Sequence, residues 1–351
     1  MVAKPLRVCL LLAACVIGAW SAWHLSHLHE EPSEAPTALG PGEYLFCHWN
    51  VENFFDDKHD KRNHKADKEY DAWFADHPEI VQLKLKKLTD ALLKMNDGKG
   101  PDILAICEVE TPRAAELLKE ALNKRLDAKH HYKHVLMKDL NAGRHIAPAI
   151  LTRLEVHSEK TRLHGRQQRI LEGHIVADGK ELIIIASHWT SRIQATSETG
   201  REHYGEAIYK VFKEYHHKDP AVDFLVCGDF NDTPHDESVV RFLHSSDDKG
   251  AVKQAKAEPL LLNLLAGKDA ASGWGTHYYN GKWFIFDQIL ISAGMCDDVG
   301  WKCEVDSVRV FNELYRPGDT KKRPWRFGDE NDKGERGYSD HFPVTVKLRV
   351  K

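Results

Sequence analysis

Carboxylates, amides and two histidines interrupt or close the most apolar runs of this sequence. Leu45-Phe46-Cys47-His48-Trp49 leads into Asn50-Val51-Glu52-Asn53, and the run from Ile103 to Cys107 ends at Glu108. Ile183 to Ser187 is followed by His188-Trp189-Thr190-Ser191-Arg192, and Phe224 to Cys227 by Gly228-Asp229-Phe230-Asn231-Asp232. Phe284-Ile285-Phe286 leads to Asp287, and Ser339-Asp340-His341 opens the last apolar run. Singly, each has a plain explanation: Asp or Asn after a strand is usually turn chemistry, and a lone His is more often a structural hydrogen-bonding group. Glu108 resists that explanation, because a partly buried carboxylate needs a cation or a metal beside it. Six such coincidences in one chain make a shared site the better reading. The set suits hydrolysis of a phosphate ester. A cation, an imidazolium and amide donors stabilise charge on the equatorial and leaving oxygens, while a base activates water. Arg192, just past His188, and Arg144-His145, ahead of Ala147, offer phosphate contacts, and surface solvation explains each nearly as well.

The elements that position these groups are legible as strand-like runs at Tyr44–Val51, Ile103–Val109, Ala147–Leu151, Leu182–Ser187, Phe224–Cys227, Phe284–Ile291 and Phe342–Val350. Several are continuously apolar over four to eight residues, the pattern of strands covered on both faces. Helical periodicity marks Glu79–Met95, closed by Asn96-Asp97-Gly98 as a C-cap, then Arg113–Leu126 after Thr111-Pro112, and Glu202–His216. Helices separate the strands of the first half and are missing between the last ones, so a helix-covered β-sandwich fits better than a doubly wound parallel sheet. The charged insertion Asp56–Asp71 reads as a solvated loop, and Trp325–Tyr338 as a second polar loop.

Of 351 residues, 42% are hydrophobic and 29% charged, an ordinary globular balance that excludes a disordered, collagenous or disulfide-framework chain. The net charge of −4 gives no global case for a nucleic-acid partner, although a phosphate-binding face needs only a few placed cations. Lys4 and Arg7 precede an apolar run from Val8 to Trp23, the pattern of an export signal or short anchor over residues 1–23. Spanning a bilayer takes roughly 17–25 apolar residues, so this run sits at the lower limit. Leu12-Ala13-Ala14-Cys15 resembles a lipobox, leaving lipidation, cleavage near Ala19 and an uncleaved anchor as alternatives. Residues 24–42 read as a flexible tether, and 43–351 as the folded domain. Each version places the body of the protein outside the cytoplasm or on a membrane surface. Cys47, Cys107 and Cys227 lie in apolar runs as small hydrophobes, while Cys296 and Cys303 are spaced for a local disulfide suited to an exported protein.

The order and identity of the motifs resemble the endonuclease/exonuclease/phosphatase superfamily, the DNase I-like fold, over residues 44–350. The most specific pieces are Trp49-Asn50-Val51-Glu52-Asn53, Glu108, Gly228-Asp229-Phe230-Asn231-Asp232 and Ser339-Asp340-His341-Phe342-Pro343. The resemblance implies an α/β fold: a four-layer α/β sandwich of two packed, mainly antiparallel β-sheets flanked by helices. It also implies Mg²⁺ or Mn²⁺ held by Glu108 with Asn50 and Asp340, a set of oxygen ligands that suits Mg²⁺. His341 would contact the scissile phosphate or act as base, with Asp287 orienting its ring. Asp229 would transfer protons, Asn231 would orient the phosphate or nucleophile, and His188 would bind the phosphate from the other side. Glu52 falls where some members have a second acidic contact, and joins Arg144 and Arg192 as a substrate-contact candidate.

Three readings follow. The leading one is an exported, metal-dependent phosphodiesterase, an endonuclease acting on nucleic acid; the motif wording resembles secreted or membrane-anchored bacterial members. The second keeps the chemistry on a phospholipid, an inositol phosphate or another small phosphodiester, with the membrane reached through the N-terminal segment. The third is a non-catalytic binding module, which predicts missing motif residues where none is missing. No obligate protein partner is evident.

Overall fold

The computed structural model describes residues 39–140, 143–165, 169–193 and 197–351. The expected signal or anchor segment (1–23) and most of the tether lie outside them, and no described helix is long and apolar enough to cross a membrane.

Nine principal strands form two sheets: β1 (Glu43–Phe54), β2 (Ile103–Val109), β3 (Ala147–Thr152), β4 (Ile170–Ala177), β5 (Lys180–His188), β6 (Phe224–Asp229), β7 (Asp287–Ile291), β8 (Trp301–Val310) and β9 (Val344–Val350). The first sheet runs β8-β9-β1-β2-β3 and ends on the short strand His134–Leu136. Within it β1 and β2 are parallel, and the other pairings are antiparallel. The second sheet runs from Ser245–Ser246 and Leu261–Asn263 through β7-β6-β5-β4 to Glu155–Val156. There β5 and β6 are parallel, while β6–β7 and β4–β5 are antiparallel. A separate hairpin pairs His277–Tyr279 with Lys282–Phe284.

The sheets pack face to face, β1 against β6 and β7, and β2 and β3 against β5. Helices α1 (Lys65–Asp76), α2 (Pro78–Leu92) and α3 (Pro112–Asn123) lie on the first sheet's side, where their buried faces join its core. Helix α4 (Ser197–Lys218) covers the second sheet with Tyr204, Ile208, Val211 and Phe212 against Ile183, Ile185, Phe224 and Val226. This is the expected four-layer sandwich. The continuous apolar runs are buried on both faces, each large side chain contributing about 1.5–3 kcal/mol relative to exposure.

Topology gathers the motifs at one edge. Strands β1, β2, β5 and β6 end there, while the antiparallel β7 and β9 begin there, so each motif falls on the same rim.

Several expectations change. The Asp56–Asp71 insertion is not simply a solvated loop: α1 starts at Lys65, and Asp56, Asp67 and Asp71 are buried. Asp67 accepts from Arg144 Nε at 2.8 Å and from the His145 amide at 2.7 Å, which compensates its burial. Helix α2 ends at Leu92, and Asn96–Gly98 forms a separate turn rather than its C-cap. The run Phe284–Ile291 divides into a hairpin strand and β7. Cys296 and Cys303 are buried free thiols, not a disulfide.

Candidate active site

Four residues at the rim, none of them glycine, hold left-handed backbone: Glu52 (φ 52°), Asn53 (φ 46°), Glu108 (φ 65°) and Asn231 (φ 51°). Each such conformation costs on the order of 1 kcal/mol or more and persists where its surroundings over-determine it. Here the fixing contacts are visible. Asn53 N–H donates to Glu108 Oε2 at 2.8 Å, and Asn231 N–H to Asp229 Oδ1 at 2.9 Å. Gly228 has no alternative, since a Cβ there would collide with the Ser187 carbonyl of the adjoining strand.

Asn50 ties two carboxylates together. Its Nδ2 donates to Glu108 Oε1 at 3.1 Å and to Asp229 Oδ2 at 3.0 Å, while its Oδ1 accepts the Glu52 amide at 3.0 Å. The amide oxygen keeps a second lone pair beyond that bond, so Asn50 positions both carboxylates and retains an oxygen donor. His188 Nε2 lies 3.7 Å from Glu108 Oε1 and 3.8 Å from Asp229 Oδ2. Burial, with Arg169 and Arg144 nearby, pushes His188 down to about 3, so it is a neutral imidazole.

Across the rim, His341 Nδ1 sits 2.7 Å from Asp287 Oδ2, and its Nε2 is 3.7 Å from Asp229 Oδ2. Burial opposes its charge, but Asp287, Asp229 and Asp340 outweigh burial and hold it well above the usual histidine value. The Ser-Asp-His motif is stapled to β1: Ser339 Oγ donates to the Asn50 carbonyl at 2.6 Å and accepts the His341 amide at 3.1 Å. Trp49 Nε1 donates to the His341 carbonyl at 2.9 Å.

These groups open into a cavity of about 620 Å³, where Glu108, Asp229, Asp340, His188, His341 and Asn231 meet Arg144, Arg169, Arg316, Arg323 and Arg326. Carboxylates and guanidiniums therefore share one cavity. Glu108 and Asp229, joined through Asn50, and Asp340 on the same cavity lining offer carboxylate oxygens of the kind a hard divalent cation takes. Asp340, His277 and His341 also present ligand atoms within 4.8 Å of one another. There His341 Nδ1 is committed to Asp287 and His277 Nδ1 to the Asp340 carbonyl at 2.8 Å, which leaves Nε2 of each ring as its donor in that group.

Of the expected substrate contacts, Arg144 lines the cavity, braced by Asp67 and by Asn53 Oδ1 at 2.8 Å. Arg192 does not line it: its Nη2 reaches Asp232 at 2.7 Å and Asp236 at 2.5 Å, and its Nε donates to the Asn231 carbonyl. Glu52 is also elsewhere. Its carboxylate accepts Arg326 Nε at 3.0 Å and the amides of Phe327 and Gly328, at 2.6 Å and 3.1 Å. That explains an acidic residue in the motif without any substrate contact, since it clamps the loop that carries Trp325 and Arg326 into the cavity.

Sequence reasoning missed His277, Arg169, His48 and the arginines of 316–326. His277 stacks on His341 with ring centroids 4.3 Å apart. Arg169 donates from Nε to Tyr204 Oη at 3.0 Å and has no carboxylate partner among the described residues. His48 carried a usable signal, a titratable side chain inside an apolar run; the arginines had none, because only the folded loops bring them in.

The endonuclease/exonuclease/phosphatase family model matches residues 46–350. No curated protein gives a match. Among solved structures, truncated Caenorhabditis elegans TDP2 superposes with a TM-score of 0.53 at 15% identity, covering 88% of this chain and 98% of that one. The Bacteroides thetaiotaomicron mannosyl-6-phosphatase gives 0.53 at 16%, covering 87% and 99%. D. rerio TDP2, complexed with a single strand DNA product, gives 0.50 at 14%, covering 88% and 99%. Identities this low show a shared fold, while the family match spans the whole folded region. The chain belongs to the endonuclease/exonuclease/phosphatase family.

Proposed function

We propose that this protein is a divalent-metal-dependent phosphodiesterase, an endonuclease acting on nucleic acid outside the cytoplasm. The observation that carries the reading is the shared cavity, with four carboxylates and three histidines beside five arginines. The carboxylates need a cation, and the guanidiniums suit an anion with more than one phosphate.

Glu108, with the Asn50 amide oxygen and Asp340 from the same cavity, would hold Mg²⁺ or Mn²⁺. When bound, such an ion polarises a phosphoryl oxygen and offsets its developing charge. His341, kept protonated by its carboxylates, serves as donor to the phosphate rather than as base. Asp229 then takes the proton of the attacking water, and Asn231 orients the nucleophile. The water oxygen bonds to phosphorus, the bond to the leaving oxygen breaks, and that oxygen takes up the proton that Asp229 received. Neutral His188 faces the phosphate from the opposite wall, beside Arg169. Asn50 keeps Glu108 and Asp229 in register. We extend the proposal to export through residues 1–23, with 24–42 as tether to a catalytic domain over 43–351.

A second reading, a phospholipid or small-phosphodiester substrate, draws support from two exposed apolar side chains of the cavity wall, Ile193 (79% exposed) and Tyr279 (47%). The deciding experiment offers purified protein plasmid DNA, RNA, phospholipid vesicles and a generic phosphodiester, with Mg²⁺ or Mn²⁺ and with EDTA. Metal-dependent nicking of DNA without phospholipid release supports the nuclease; phospholipid release alone supports the second reading. Cleavage of none of them would revive the non-catalytic module.

A further inference from the structure

Behind the His341–Asp287 pair lies a second imidazole. His48 is on β1 two positions before Asn50 and so shares its face of the strand, turned towards the second sheet. It is fully buried, as is Asp287. Its Nε2 stands 3.3 Å from Asp287 Oδ1, the carboxylate oxygen that does not face His341. Neither nitrogen of His48, nor Asp287 Oδ1, has a well-directed hydrogen bond to any described group, so the 3.3 Å approach is a close contact that a small turn of the ring or carboxylate would align. Each is therefore the other's available partner.

An imidazole without a partner is costly in such a place, where an apolar side chain would pack without penalty. Its backbone is held mid-sheet, opposite Val344 on β9 and Ala105 on β2, so the ring cannot swing to solvent. The carboxylate has its own constraint. Its amide donates to Thr276 Oγ1 at 3.1 Å, which fixes the main chain but leaves the carboxylate plane free to turn.

We infer that His48 is a positioning residue for the proposed reaction: as the Nε2–H tautomer it donates to Asp287 Oδ1 and sets the carboxylate plane so that Oδ2 meets His341 Nδ1. Asp287 then bridges two imidazoles, one from the middle of β1 and one from the segment just ahead of β9. His48 touches no substrate and exchanges no proton during turnover. Its effect reaches the phosphate only through the direction in which His341 presents Nε2. A misplacement of about 1 Å at a reacting group can cost on the order of 10²-fold in rate.

The inference rests on His341 facing the phosphate, so the test separates the two. Full-chain protein with Mg²⁺ and a generic phosphodiester is assayed as wild type, His48→Leu, His48→Gln and His341→Ala. Leu fills the space without a donor, while Gln keeps an amide N–H. The expected result is kcat about 10–100-fold lower in His48→Leu with KM within about twofold, and most of the rate restored in His48→Gln. A second readout needs no turnover: the downfield proton resonance of the His341–Asp287 hydrogen bond, shifted by Leu and returned by Gln. If the Leu variant does not fold, His48→Asn takes its place, since its shorter amide falls short of Asp287 and should behave as Leu does. Wild-type kcat and an unmoved resonance in His48→Leu or His48→Asn would overturn the inference, as would a Gln variant no better than Leu. Full activity in His341→Ala would instead overturn the functional reading, leaving the resonance to decide the role of His48.

Discussion

Asp287 Oδ2 lies 2.7 Å from His341 Nδ1, and this contact joins the start of β7 in the second sheet to the segment three residues ahead of β9. The carboxylate selects which ring nitrogen is turned to the cavity and favours the charged ring. An amide in its place keeps the shape and loses the charge. Asp287→Asn is expected to lower kcat by on the order of 10²–10⁴, the range seen when such a carboxylate is neutralised. KM should change little, and steady-state kinetics on a phosphodiester checks both.

Arg169 and Arg192 separate substrate binding from stability. Arg169 lines the cavity with no carboxylate partner among the described residues, whereas Arg192 is committed to Asp232 and Asp236. Arg169→Ala should raise KM for a polyanionic substrate about tenfold, flatten its salt dependence and leave the melting temperature unchanged. Arg192→Ala should do the reverse, lowering the melting temperature with little direct effect on KM. Thermal melts beside kinetics at several salt concentrations distinguish them.

Glu52 is a structural clamp. Removing its carboxylate strands the amides of Phe327 and Gly328, and leaves the buried Lys84 ammonium, which donates to the Glu52 carbonyl at 2.9 Å, without its nearest counter-charge. Glu52→Ala should cost roughly 3 kcal/mol of stability. Denaturant unfolding reads this directly, and an unchanged midpoint would contradict the assignment.

Two buried glutamates should give pH dependences of opposite sign. Burial raises Glu172, but His164, His174, Tyr215 and Arg162 outweigh it and hold the carboxyl well below its usual 4.5. Its folded value is depressed, so its stabilisation is present above about pH 4.5 and fades on acidification. For Glu110, burial outweighs the Asp56 amide and Arg62 and pushes the group up to about 8. Its contribution is full below its ordinary 4.5 and is lost as pH rises through about 8. Relative to wild type, Glu172→Gln should lose most thermal stability near neutral pH and less in acid. Glu110→Gln should gain on wild type as pH rises, in melts recorded from about pH 4 to 9.

The architecture was legible wherever burial was complete. The runs ending at Glu108 and Asp229 are apolar because both faces of β2 and β6 are covered, and a carboxylate closing such a run stands out. Legibility failed where buried polar groups satisfy one another. β4 was missed because Glu172, Gly173 and His174 break its apolar pattern, yet Glu172 and His174 are buried partners 2.9 Å apart. Helix α1 was hidden by its charges, although Trp73 and Phe74 are buried beneath them. β8 alternates polar and apolar residues along an edge of the sheet, a weaker signal than a continuous run. In the site, strand-end residues could be named from sequence. What Glu52, Arg192 and the Asn50 amide nitrogen bind depends on partners distant in the chain.

The central claim is that one cavity combines a carboxylate-held divalent cation with a protonated histidine to break a phosphodiester. It is tested most directly by the cleavage rate of one phosphodiester substrate across a Mg²⁺ titration, for wild type, Glu108→Ala and His341→Ala. The account predicts saturable metal dependence abolished by EDTA, and losses of at least about 10²-fold in both variants. A rate indifferent to EDTA, or wild-type rates in both variants, would contradict it.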